Sequence, residues 1–143
     1  MKISVTKGNL SVLNTEIEYM ESDYSSLLSV RTKHYGDYMQ SKARVALRNL
    51  NRLENTLESI GVPEFTRDSS FAMAVDCAKI ITEWKCTKID CQMMDVYLEM
   101  CESFHIIIHE LKHLAKGNDF WVSDYAIGTE NQCEKPIELE KQE

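Results

Sequence analysis

An all-α fold is predicted by three features of this 143-residue chain. Only 5 Gly and 2 Pro are present, too few for a β-sandwich that turns every few residues. Leu, Met, Glu, Lys and Arg, all good helix formers, are plentiful. Apolar residues recur at helical spacing along several stretches, and one stretch is apolar on nearly every side. The expected architecture is one helical bundle around that central apolar helix, in a chain long enough to bury a core without disulfides or metals.

Residues 1–14 read as an N-terminal arm, in which Ile3, Val5 and Val12 lie near Gly8 and Asn9. The bundle is expected over residues 15–117. Asn14 or Thr15 offers a helix N-cap, with Glu16 and Glu18 in the first turn, where the helix dipole favours acids. Gly36 and Asp37 interrupt the pattern, so residues 15–60 are read as two helices. In the second, Met39, Ala43, Ala46, Leu50, Leu53, Leu57 and Ile60 alternate steps of four and three, one continuous stripe over about six turns. Gly61, with Pro63 two residues on, supplies the stop.

Asp68 or Ser69 then caps the central helix, which runs to Trp84 with Asp76, Lys79, Thr82 and Glu83 as its polar members. Phe71, Val75, Cys77, Ala78, Ile81 and Trp84 are its core candidates. A helix apolar all round is expected to be surrounded by others, and each large side chain it buries contributes about 1.5–3 kcal/mol. Asp90 caps a last helix with the stripe Met94, Tyr97, Cys101, Phe104, Ile108, Leu111 and Ala115, ending at Gly117. Ser103 and the β-branched run Ile106 to Ile108 mark a candidate break in it. Residues 118–143 read as a C-terminal segment, in which Phe120, Trp121 and Tyr125 fold back and an acidic, mobile tail follows.

The net charge of −7 argues against nucleic acid, whose phosphates call for clustered Lys and Arg. Lys42, Arg44, Arg48 and Arg52 form the densest basic stretch, but Glu54 and Glu58 follow within a turn, so a solvated helix face is the better reading. The five cysteines, Cys77, Cys86, Cys91, Cys101 and Cys133, are odd in number and lack zinc-ribbon spacing. Free thiols in a reducing compartment fit them best. No stretch approaches a membrane span, and the first ten residues lack the apolar run of a signal peptide. A cytoplasmic location is therefore expected.

One motif carries chemistry. His109-Glu110-Leu111-Lys112-His113 matches H-E-x-x-H, which on a helix sets two imidazoles four residues apart to bind zinc, with the Glu as general base. Asp124 is the candidate third ligand, and the run from Asp124 to Gly128 looks like the third-ligand segment of aspzincin peptidases. Against this, Lys112 puts a charge where such enzymes keep a neutral residue, and the chain has no room for a substrate-aligning sheet. The favoured reading is that His105, His109 and His113 are partly exposed residues beside an apolar seam. No cofactor is then expected, and zinc belongs to the alternative alone. Neither a nucleophile elbow, a phosphate-cradling loop nor a dinucleotide fingerprint is present. Met73, Met93, Met94 and Met100 read as core filler.

Cys77-Ala78 and Trp84, preceded by Ser70-Phe71-Ala72 and followed by Lys88-Ile89, resemble the central helix of poxviral Bcl-2-like proteins. Val96-Tyr97-Leu98-Glu99-Met100 and Ile106-Ile107 resemble the helices that follow it, so the likeness covers residues 69–115, about a third of the chain. Such a resemblance implies an all-α bundle that works by binding host proteins, such as innate-immune adaptors and kinases or death-promoting helices. Two departures are plain: the Met39–Ile60 stripe is longer than the family's helices there, and no Gly-Arg pair follows the central helix.

The leading expectation is a non-enzymatic intracellular protein that binds host or cellular proteins, in its narrower form a viral modulator of NF-κB or interferon signalling. A small zinc metallopeptidase using His109, Glu110, His113 and Asp124 is the first alternative. A phage or bacterial regulator that self-associates as a homodimer through the Met39–Ile60 stripe is the second.

Overall fold

The computed structural model describes residues 1–29, 36–85, 91–118 and 120–122. Four α-helices dominate it: α1 (Leu10–Leu28), α2 (Gly36–Ser59), α3 (Ser69–Thr82) and α4 (Cys91–Ala115). Two short strands, β1 (Lys2–Ile3) and β2 (Phe120–Trp121), pair antiparallel beyond the helices. The expected all-α bundle is therefore observed. Among the described residues no helix is long and apolar enough to cross a membrane.

The side-chain contacts set the topology. Arg52 on α2 reaches Glu16 and Asp23 on α1, and Lys42 reaches Ser26, so late α2 lies beside early α1. Gln40, early in α2, donates to the carbonyls of Ile81 and Trp84 at the far end of α3. Cys77 on α3 meets Glu99 on α4, while Tyr97 on α4 donates to the Leu27 carbonyl on α1. Tyr24 packs on His105, and Lys112 pairs with Glu21. Every adjacent pair is thus antiparallel, and the four helices form an up-down-up-down ring with α2 diagonal to α4.

α2 follows its sequence closely. All seven stripe residues from Met39 to Ile60 are buried, Ile60 the most exposed of them at 5%. Gly61 ends the helix at φ +84°, and its amide bonds to the Glu58 carbonyl while Val62 bonds to Leu57. Those two bonds are a Schellman stop, closed by the buried pair Val62 and Leu57. The stripe is thus committed to the core of this bundle.

The other helices differ from expectation. α1 begins at Leu10, so the arm expected over residues 1–14 is helical from residue 10, and Leu13 is fully buried. Thr15 is no cap; its hydroxyl donates back to the Ser11 carbonyl, one turn earlier in the same helix. Asp68 does cap α3, accepting from the Ser70 amide at 3.1 Å. α3 stops at Thr82, two residues short of Trp84, where Gln40 satisfies its last carbonyls.

α4 is one unbroken helix through Ser103 and Ile106 to Ile108, so the candidate break is absent. Packing on both sides holds the β-branched run helical. Met93, Tyr97, Met100, Phe104, Ile107, Leu111 and Leu114 are all 0% exposed, a second stripe of alternating fours and threes. Of the expected line, Tyr97, Cys101, Phe104, Ile108 and Leu111 are buried, and only its ends, Met94 and Ala115, are half-buried. The cap expected at Asp90 lies outside the described residues.

α3 consequently stands at one corner of the ring and is not enclosed. Phe71, Cys77, Ala78 and Ile81 are buried as expected, whereas Val75 and Trp84 are half-buried. Met73 is 42% and Ile80 48% exposed. With two helical neighbours, α3 covers only the sides that face α2 and α4. Beyond α4, Phe120 stacks on Phe65 at 5.3 Å, and buried Ile3 and Val122 seal that end of the bundle. Tyr125 and the tail over residues 129–143 lie outside the described residues.

Candidate functional site

Two regions compete as the site: the H-E-x-x-H face of α4 and a groove between α2 and α3. On α4 the two imidazoles, His109 and His113, are exposed, as is His105 one turn earlier. Glu110 is turned inward towards the start of α3. Its Oε1 is buried without a hydrogen-bond partner, and the carboxyl is hydrogen-bonded to Asp68. Burial first, and then Asp68, pushes the Glu110 acid up to about 9. A carboxyl that keeps its proton at neutral pH is the wrong form for a general base. Lys112 is drawn away to Glu21 at 2.6 Å.

Asp124, the third ligand proposed for zinc, lies outside the described residues. Among the described residues no group of three His, Cys, Asp or Glu side chains is placed to hold a metal ion. His109, Glu110 and His113 thus share a helix but not an environment, with the imidazoles outward and the acid inward.

The groove has a different character. It measures about 580 Å³, and its apolar wall is built by Leu47 and Leu50 from α2 with Phe71, Ala72 and Val75 from α3. Arg48, Glu54, Asp76 and Lys79 stand among its lining residues. Antiparallel packing explains the shape. α3 presents small Ala72 and β-branched Val75 to a stretch of α2 where Asn51 and Glu54 are exposed, so the two helices part above Leu50 and Phe71. Sequence alone does not show this groove, because apolar residues on every side of a helix imply burial on every side. Met73 and Ile80 also leave α3 with apolar surface facing solvent, on a face beside the groove and not among its lining residues.

Two buried polar sites are structural. Glu16, expected in the first turn of its helix, lies beyond the first turn of α1 and is 3% exposed. It accepts from Arg52 Nε at 2.9 Å and from the Thr56 hydroxyl at 3.0 Å. Arg52 also bonds to Asp23 at 3.0 Å and lies over the Tyr19 ring at 5.2 Å. Arg52 therefore works between helices, unlike the freely solvated basic face expected of it. Cys77 lies 3.8 Å from Glu99, and burial, with that carboxylate behind it, pushes the thiol up to about 11. Such a thiol stays protonated and unreactive. Cys77 and Cys101 are both buried, while Cys86 and Cys133 lie outside the described residues.

No family model, curated protein or solved structure matches the chain.

Proposed function

We propose that this is a non-enzymatic binding protein whose working surface is the α2–α3 groove. The observation that carries the reading is an open, partly apolar groove of about 580 Å³ between α2 and α3. Grooves of this kind, apolar within and ringed by a few charges, are suited to a segment of another protein. Ala72, half-buried in the groove wall, gives the test. Ala72→Arg fills the groove with a bulky cation and is expected to abolish partner capture while the urea midpoint holds. Undiminished capture of the same partner would sink the reading.

The narrower version, a viral modulator of host NF-κB or interferon signalling, draws its support from the likeness of residues 69–115 to poxviral Bcl-2-like proteins. Proximity labelling in transfected cells tests it. The expected result is an identified innate-immune adaptor or kinase recovered by the native chain and lost with Ala72→Arg.

A further inference from the structure

We propose that the partner of this surface is an acidic amphipathic segment, its apolar side seated in the α2–α3 groove and its acidic flank over the outer face of α2. The inference deepens the binding reading above and rests on it. Next to the groove lies a second, shallower concavity of about 440 Å³, lined by Arg48, Asn51, Arg52, Asn55, Thr56 and Ser59. The two share Arg48 and Asn51. One occupant can therefore cover both.

Charge selects that occupant. The second concavity holds guanidinium, amide and hydroxyl groups and no carboxylate, on a chain whose net charge is −7. Arg52 spends its charge on Glu16 and Asp23, but among the described residues Arg48 has no ion-pair partner. Arg44, one turn before Arg48, is exposed on the same side. Glu54 and Asp76 line the groove, with Lys79 beside them, and not the second concavity, so acids on an occupant are favoured over outer α2 and disfavoured within the groove. A uniformly acidic peptide would leave Leu47, Ala72 and Val75 unfilled, and a purely apolar one would leave Arg48 uncompensated. An apolar face with one acidic flank answers both demands.

The test uses the full chain and two fluorescein-labelled peptides of about five helical turns, each with leucine on one face. The first carries glutamate on one flank, and the second carries lysine at the same positions. The glutamate peptide is expected to bind about tenfold more tightly or better, with the preference reversed by Arg48→Glu and both peptides weakened by Ala72→Arg. Should Ala72→Arg lower the urea midpoint, Asn51→Trp blocks the groove mouth from an exposed position instead. Equal binding of both peptides, or tighter binding of the lysine one, each lost on blocking the groove, overturns the acidic partner and keeps the groove. Binding of neither peptide, or binding indifferent to both groove variants, overturns the two together.

Discussion

Arg52 Nη2 on α2 lies 2.8 Å from the Glu16 Oε2 on α1, and Glu16 is almost wholly buried there. The pair couples two helices through a charge that α1 could not hold alone. Removing the cation leaves a carboxylate away from water, which costs far more than losing a surface ion pair. Arg52→Leu is expected to lower stability by about 3 kcal/mol in urea denaturation, reduced from larger values by the solvent that reaches Arg52. Adding Glu16→Leu should recover most of that loss, and no recovery would show that the pair is not what the single change broke.

The Glu110 acid gives the pH dependence. Its folded value, about 9, lies above the ordinary 4.5, so between those limits the folded state holds a proton that the unfolded chain has released. Its contribution is complete below about pH 4.5 and is lost as pH rises towards 9. Glu110→Gln keeps a neutral donor beside Asp68. This variant is expected to be more stable than the native chain at pH 8, with a shallower decline between pH 5 and 9. Parallel curves for the two proteins would contradict the assignment.

Tyr97 donates to the Leu27 carbonyl at 2.8 Å from a fully buried position. Tyr97→Phe preserves the ring and removes this bond to the end of α1. A loss of about 1–2 kcal/mol is expected. Because burial pushes the phenol well above its ordinary value, the ultraviolet signature of ionised Tyr97 should appear only on unfolding at high pH.

Zinc is expected to bind at less than one ion per chain by metal analysis, and equally in His109→Ala. The His109 imidazole is exposed, so His109→Ala should change stability in urea denaturation by no more than about 0.5 kcal/mol. One tightly held zinc lost on this change would restore the peptidase alternative.

Some of this fold was legible because one helix face alone decided it. α2 has polar residues opposite a single stripe, so the alternation from Met39 to Ile60 could have only one buried side. α3 shows the converse: with apolar residues all round, its sequence cannot say which sides neighbours cover, and the open side became apparent only from the ring. On α4 the expected Tyr97, Cys101, Phe104, Ile108 and Leu111 are buried, but two helices flank α4 and widen that face to include Met93, Met100, Ile107 and Leu114. Glu16 was illegible for another reason. Its partner Arg52 is 36 residues away, and no local pattern links them. The H-E-x-x-H residues were found from sequence, but their division into outward imidazoles and an inward acid depends on Asp68, a neighbour that only tertiary structure supplies.

The pairing of β1 with β2 has a kinetic consequence. Three of the four helix seams join consecutive helices, whereas the α1–α4 seam and the strand clasp close the ring across most of the chain, the Met1 ammonium meeting the Val122 carbonyl. Loop-closure entropy makes those contacts the costliest to form first. α2, α3 and α4 can therefore assemble as two successive helical hairpins, with α1 docking last and the clasp fastening behind it. Amide exchange in the native state should then release the clasp and α1 before the α2 stripe.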